Sequence, residues 1–145
     1  MNSDFIVAVH AMIFLYHKGE GNTISSEALA ENICTNPARV RRIMAKMKKA
    51  ELVLTKEGRT AGGYSYPPNR HITLGDISAA LGVSFANFNW RSGDKEKACL
   101  ISSGMSDYID KLQGELNRQC HNYLATVSID QAEKELTLSL GKETL

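Results

Sequence analysis

The chain has 145 residues, of which 43% are hydrophobic and 23% charged, with a formal net charge of +1. This composition argues against disorder and against a membrane protein, and the longest early apolar run, residues 5–16, is too short to span a bilayer. No basic segment precedes that run and no small-residue cleavage site follows it, so we expect a cytoplasmic protein with no membrane partner.

Two helices are predicted at the start of the chain. Apolar residues recur at helical spacing from Phe5 to Tyr16, and Gly19 follows the end of this pattern. A short second helix is predicted over residues 26–33, with Ser25 as its N-cap. Both helices direct an apolar face toward a common core.

The third predicted helix has two distinct faces. After a tight turn at Cys34, Asn36 and Pro37 provide a cap residue and a first-turn proline, and the helix runs to about Ala50. Its apolar stripe consists of Val40, Ile43, Met44 and Met47, and its cationic stripe consists of Arg39, Arg42, Lys46 and Lys49. The helix is therefore apolar toward a core and positively charged toward a second surface.

A β-hairpin is predicted after this helix. Residues 52–55 and 64–66 form short strands, and the charged segment between them contains glycine. Thr73 is a candidate N-cap for a small helix over residues 74–81. Two short helices, a turn, a cationic helix and a hairpin, in this order, are typical of a winged helix-turn-helix.

A long C-terminal helix is predicted to form a dimer. Its heptad-like seam has spacing 4-3-4-3-4, includes Gln119, and otherwise consists of Met105, Ile109, Leu112, Leu116 and Tyr123. The predicted fold is mainly α with a small β-hairpin wing. Residues 1–82 are expected to form the DNA-binding domain, and residues 83–145 the linker, dimerisation helix and C-terminal tail.

Positive charge is concentrated around the third helix and the hairpin. Eight of the 17 basic residues lie between Arg39 and Arg59. A helix fits the major groove of B-DNA with its first turn at the base edges, and an arginine at the wing tip, here Arg59, suits the adjacent minor groove. We expect double-stranded DNA to contact Ser26, Thr35, Asn36, Pro37, Ala38, Arg39, Arg41, Arg42, Lys46, Lys49, Arg59, Gly62, Gly63 and Tyr64.

Several segments together carry a resemblance to a known family. They are residues 25–31, 36–43 and 46–53, the wing glycines 62–63, and the stretch 72–77. In combination they resemble the BadM/Rrf family of winged-helix transcriptional regulators over nearly the whole chain, and the Asn-Pro helix start is most similar to its YwnA-like branch. The resemblance implies a homodimer that binds a pseudo-palindromic operator, usually as a repressor.

The cysteines depart from the pattern of that family. Its cluster-binding members carry three closely spaced cysteines between the small helix and the dimer helix, whereas residues 84–104 here hold only Cys99. One thiolate cannot hold an iron–sulfur cluster, which needs about four ligands. We therefore expect no cofactor and no metal site.

A redox role for the cysteines is a separate hypothesis. Cys34 precedes the positive end of the third helix and lies near Arg39, an environment that can lower a thiol pKa. We expect Cys34, together with Cys99, to sense oxidants or electrophiles. The alternative is that Cys34 is a small residue that fills a turn.

Other functions stay open at this point. The alternatives to a cysteine-switched regulator are a regulator that responds to a small-molecule effector and a winged-helix module that binds an acidic protein. Phe85, Phe88 and Trp90 either line an effector pocket or form a satellite hydrophobic cluster. The sequence offers no nucleophile–base pair, carboxylate pair, metal-ligand spacing or phosphate loop, so we do not expect an enzyme.

Overall fold

The computed structural model describes residues 2–58 and 62–143. In these ranges the chain forms six helices and one antiparallel hairpin. They are α1 (Asn2–Lys18), α2 (Ser26–Ile33), α3 (Pro37–Lys49), β1 (Leu54–Lys56), β2 (Gly63–Ser65), α4 (Leu74–Leu81), α5 (Leu100–Leu124) and α6 (Ile129–Glu143). The prediction of a mainly helical fold with a hairpin wing and a long C-terminal helix is confirmed.

The turn between α2 and α3 has the predicted capping residues. Cys34 ends α2 in the left-handed conformation, with φ 68°, and its N–H donates to the carbonyl of Ala30. Asn36 is extended, and its Oδ1 accepts the backbone N–H of Arg39 at 2.8 Å. Pro37 follows as the first residue of α3, where the missing N–H costs no helical hydrogen bond.

One hydrophobic core contains residues from both ends of the chain. The apolar stripe of α3 has no solvent exposure, and it packs with Met12 and Leu15 of α1. Ile129, the first residue of α6, is equally buried in the same core. Its N–H donates to the carbonyl of Ile72 at 2.9 Å, which ties the start of α6 to the segment before α4.

The hairpin is shifted from its predicted position. The sequence predicted strands at residues 52–55 and 64–66, whereas β1 and β2 pair Leu54 with Ser65 and Lys56 with Gly63. The reason lies at the end of α3, where Leu52 and Val53 are buried in the core and are not part of the ladder. Burial of these two side chains outweighs their preference for a strand.

The linker between α4 and α5 runs along one side of α5. The Asn117 side chain accepts the N–H of Ala86 at 2.8 Å and donates to its carbonyl at 2.9 Å. Gln113 accepts the N–H of Phe88 at 2.7 Å. These amide side chains form the hydrogen bonds that the backbone N–H and C=O groups of the linker would otherwise make with a neighbouring strand.

The side chain of Phe85 packs edge-on against Phe5 of α1, with ring centroids 5.3 Å apart. Trp90 is 75% exposed. The aromatic residues of the linker therefore do not form one cluster. None of the described helices combines the length and the hydropathy that crossing a membrane requires.

Candidate nucleic-acid interface

The outward face of α3 follows from its buried stripe. At about 100° per residue, the positions opposite that stripe are Ala38, Arg42, Ala45 and Lys49, and all four are exposed. Arg39 and Lys46 lie toward α1, on one side of this face. Arg41 and Lys48 lie on the other side, toward α2 and the hairpin. The exposed surface of α3 is therefore cationic along its whole length.

Arg39 and Arg42 are held by one carboxylate on α1. Arg42 donates from Nη1 to Oδ2 of Asp4 at 2.9 Å and from Nη2 to Oδ1 at 3.1 Å. Arg39 donates to Oδ1 from Nε at 3.2 Å and from Nη2 at 3.0 Å, and its Nη2 also donates to Oγ of Ser3 at 2.9 Å. The hydrogen bond from Arg42, and then those from Arg39, hold the pKa of Asp4 well below its ordinary value of 3.8, against the opposing effect of burial.

The opposite side of α3 borders a groove of about 840 Å³ between α2 and the wing. Arg41 donates to Oγ of Ser26 at 3.2 Å and forms an ion pair with Glu27 at 3.6 Å. Lys48 and Tyr64 also line this groove. Ser26, Arg41, Gly62, Gly63 and Tyr64, which the sequence analysis selected separately, therefore surround one depression.

The leading end of α3 presents Asn36, Pro37 and Ala38. Asn36 and Ala38 are exposed, and Thr35 before them is half-buried. The cap uses one of the two lone pairs on Oδ1 of Asn36, so the second lone pair and the amide N–H groups stay available for a base edge.

The predicted wing residues are constrained by the fold itself. Gly63 has φ +151°, and a Cβ there would lie 2.3 Å from the carbonyl oxygen of Ile24. Tyr64 exchanges two backbone hydrogen bonds of 2.8 Å with Ile24, and partial burial raises the pKa of its phenol. Gly62 directly precedes β2, and the predicted wing-tip residue Arg59 lies outside the described residues.

Sequence reasoning missed three residues beside this surface. Lys48 was visible in the basic stretch, and a count of 100° steps from the buried stripe places it beside Arg41. Ser3 and Asp4 gave no such signal, because they are separated from Arg39 by 36 and 35 residues. Only the packing of α1 against α3 brings them together.

The seam of α5 is open to solvent. No residue of this 25-residue helix is buried, and Leu112, Leu116 and Tyr123 are exposed. Met105 and Ile109 are half-buried, while Ile101 and Tyr108 extend the same exposed apolar face. A monomer would therefore expose a mainly apolar stripe, from Ile101 to Tyr123, that is about 33 Å long and is interrupted at Gln119.

The three cysteines are free thiols. Cys34 is exposed beside the start of α3, and Cys99 is exposed at the N-cap of α5. The nearby backbone N–H groups of Ser102 and then Ile101 hold the pKa of Cys99 below its ordinary value, although its thiol makes no full capping hydrogen bond. The positive end of the long helix thus favours a thiolate at Cys99.

A mainly helical chain with a hairpin wing and an exposed cationic third helix is a winged helix-turn-helix protein. The family model named Rrf2, described as "Iron-dependent Transcriptional regulator", matches residues 1–135. The chain belongs to the Rrf2 family, whose members are DNA-binding transcriptional regulators and not enzymes.

Individual relatives agree with this assignment. A Bacillus subtilis protein described as a candidate HTH-type transcriptional regulator, YwnA, is 24% identical over 136 residues, which are 94% of this chain and 98% of that protein. The crystal structure of a candidate transcriptional regulator from Lactobacillus plantarum is similar with a TM-score of 0.79 at 22% identity, covering all of both chains.

Two further regulators of known structure share the fold. IscR from T. potens has a TM-score of 0.67 at 19% identity over 94% of this chain and 87% of its own. CymR, described as the global cysteine regulator of B. subtilis, has a TM-score of 0.65 at 17% identity over 93% of this chain and 96% of its own.

The donor set does not fit the metal that the family description mentions. Between α4 and the first turn of α5 the sole cysteine is Cys99. Across residues 2–58 and 62–143, no three His, Cys, Asp or Glu side chains are grouped so that they could hold a metal ion. A cluster that needs about four ligands therefore has no ligand set in the described part of this chain.

Proposed function

We propose that the protein is a cytoplasmic repressor that binds a pseudo-palindromic DNA operator as a homodimer. In this proposal α3 enters the major groove, Asn36, Arg39 and Arg42 read base edges, and Lys46 and Lys49 contact phosphates. Arg59 reaches the minor groove from the wing. Thr35, Pro37 and Ala38 approach the DNA at the leading end of α3, and Ser26, Arg41, Gly62, Gly63 and Tyr64 approach it beside the wing.

The observation that carries this proposal is the outward face of α3. Arg42 and Lys49 lie opposite the buried stripe, so they point away from the core, and their neighbours Arg41 and Lys48 border the groove beside the hairpin. An exposed cationic helix next to a wing matches the dimensions and the charge of the major groove and its phosphates.

The proposal is tested by fluorescence anisotropy. A random duplex library yields the preferred site, and the chain is titrated against that site and its scrambled version at two salt concentrations. Arg42→Ala is expected to weaken binding to the preferred site by about 1–3 kcal/mol and to relax its sequence preference. Lys49→Ala is expected to weaken binding to both duplexes equally and to lower the salt slope by about one.

Lys111→Ala is the matched control, because it removes an exposed cation from α5 and leaves α3 unchanged. The proposal fails if the chain shows no preference for any duplex. Binding to an acidic protein that weakens as salt is added, without DNA binding, would favour the protein-interaction module instead.

The dimer is proposed to form through α5. Residues 1–82 then act as the DNA-binding part, while residues 83–145 supply the linker, the dimerisation helix and the tail, whose Ile129 adds to the core of the first part. Met105, Ile109, Leu112, Leu116 and Tyr123 face the partner. The support is the exposed apolar stripe of α5, which a second copy would remove from water.

Cysteine oxidation is proposed as the switch. Cys34 and Cys99 are both exposed thiols, and Cys34 adjoins the first turn of α3. Oxidation at Cys34 would disturb the left-handed turn that sets the start of α3. Mild oxidant is expected to abolish operator binding by the wild type, reductant to restore it, and Cys34→Ser to bind regardless of oxidant. An oxidant response that survives Cys34→Ser contradicts this role.

A small-molecule effector remains the second candidate, and one groove favours it. A groove of about 500 Å³ between α1 and α6 is lined mainly by apolar side chains such as Val9 and Ile13. His10 with Asn32, at 2.8 Å, and His17 with Glu133, at 3.0 Å, place polar pairs at its wall. We expect the dye anilinonaphthalene sulfonate, whose aromatic rings bind apolar surfaces, to bind the wild type and to be excluded by Val9→Trp. Equal dye binding by both proteins would contradict an effector site here.

A further inference from the structure

Asp4 connects the first turn of α1 to the two leading arginines of α3. Its two carboxylate oxygens accept four hydrogen bonds of 2.9–3.2 Å from Arg39 and Arg42. The Asp4 side chain is 20% exposed, whereas that of Arg42 is 51% exposed. The carboxylate is therefore shielded behind the arginines, and the guanidinium of Arg42 faces solvent.

The geometry leaves part of each guanidinium available. Arg42 uses one N–H of each Nη on Asp4, which leaves its Nε–H and the second N–H of each Nη. Arg39 uses Nε and Nη2, which leaves Nη1. Each arginine is thus fixed on one edge and keeps donors on another, as required for a side chain that reads a base in a fixed orientation.

The charge balance at this end of α3 has two opposite effects on DNA binding. Nonspecific affinity depends on the number of phosphates that are neutralised, and Asp4 cancels one of the two positive charges of Arg39 and Arg42. Base reading depends on donor geometry, and the carboxylate removes rotational freedom from two flexible side chains before DNA arrives. Asp4 therefore weakens the first kind of binding and favours the second.

We propose that Asp4 is a specificity-determining positioning residue, which holds Arg39 and Arg42 for base reading and suppresses nonspecific binding. This inference rests on the proposed DNA-binding function. A merely structural role for Asp4, as an acidic residue that stabilises the first turn of α1, would change the stability of the fold and leave the ratio of specific to nonspecific affinity unchanged.

The test compares Asp4→Asn with Asp107→Asn, which removes the same charge from the exposed side of α5, where Asp107 pairs with Lys95. The probes are the duplex that the wild type selects from a random library and its scrambled version. For Asp4→Asn we expect tighter binding to scrambled DNA, weaker binding to the selected site, and a loss of about tenfold in their affinity ratio. The ratio of Asp107→Asn is expected to match that of the wild type.

The double variant Arg39→Ala/Arg42→Ala tests whether Asp4 acts through these two arginines. In this background the change of Asp4 to Asn is expected to leave the affinity ratio unaltered, because no guanidinium remains to be positioned. The proposal is overturned if Asp4→Asn alone keeps the wild-type ratio, or if it lowers the ratio equally in this background.

Nitrogen-15 spectra of the arginine side chains test the contact without DNA. In the free wild type, the guanidiniums of Arg39 and Arg42 are expected to rotate slowly, and in Asp4→Asn rapidly; rapid rotation in the wild type overturns the proposal. If the wild type selects no sequence, both the proposed function and the role of Asp4 are contradicted. If the wild type selects a site and Asp4→Asn keeps the same ratio of specific to nonspecific affinity, only the role of Asp4 is contradicted.

Discussion

Gly63 is needed by the fold, and we have also proposed that it approaches DNA. Its φ of +151° is strained for an L side chain, and a Cβ would collide with the carbonyl of Ile24. We expect Gly63→Ala to destabilise the protein by about 1–3 kcal/mol, as measured by urea denaturation. Gly114→Ala is the control, because its Cβ would enter open space within α5 and is expected to stabilise by up to about 1 kcal/mol. Equal stability of the two variants would contradict this account.

Asp4 makes folding stability depend on pH in a defined direction. Its pKa is lowered in the folded protein, so its contribution is present above the ordinary value of 3.8 and is lost as pH falls through the lower folded value. We expect the wild type to be more stable than Asp4→Asn at pH 7, and the difference to shrink progressively below pH 3.8. Thermal denaturation of both proteins from pH 7 to pH 2 measures it. A difference that does not change with pH would show that Asp4 acts without its charge.

Residues whose role depends on local sequence were the predictable ones. Asn36 and Pro37 indicate the start of α3, and Thr73 indicates the start of α4. Each cap side chain accepts a backbone N–H only three residues further on, so the signal is local. The link between Asp4 and Arg42 spans 38 residues, and nothing in the neighbourhood of either residue indicates the other. Long-range ion pairs depend on how helices pack, which a single sequence does not reveal.

At the scale of elements, α5 has no buried residue and exposes an apolar stripe that no other part of the described chain covers. We expect Leu112→Lys to shift a dimer to monomers, because each dimer would bury two unpaired ammonium groups at about 1–3 kcal/mol each. The two groups together cost about 2–6 kcal/mol per dimer, which corresponds to a rise of at least about thirtyfold in the dimer dissociation constant. Sedimentation velocity over a concentration series measures the change.

Gly114→Lys is the matched control for this prediction, because it adds the same charge on the opposite side of α5, in open space. It is expected to leave the dimer intact. If Leu112→Lys remains as dimeric as Gly114→Lys, then α5 does not form the interface through this seam.

The elements were predictable to different degrees, for physical reasons. Residues 74–81 were predicted correctly as α4, because a capping box and a left-handed glycine define its ends. The path of the linker had no periodic signal, because Asn117 and Gln113 satisfy its backbone from another element. The hairpin begins later than predicted because Leu52 and Val53, which favour strands, are buried in the hydrophobic core.

At the scale of the whole molecule, the two ends of the chain share one core. Ile129 is fully buried with residues of α1, α3 and α4, so we expect Ile129→Ala to destabilise the entire protein by about 2–5 kcal/mol. A single cooperative transition, seen equally in far-ultraviolet circular dichroism and in tyrosine absorbance, is the expected form of unfolding. Leu138→Ala, on an exposed position of α6, is the control and is expected to change little. Two separated transitions would indicate that α6 folds apart from the rest.

The reciprocal hydrogen bonds between Ile24 and Tyr64 have a consequence for motion. They join the base of the wing to the segment before α2, and because the two bonds lie side by side in one bridge we expect them to open together. We expect the amide protons of Ile24 and Tyr64 to exchange with deuterium at matching rates under conditions where exchange reports opening equilibria. Gly63→Ala should accelerate both by the same factor. The base of the wing would then open together with the segment before α2, as a hinge whose stiffness two hydrogen bonds determine.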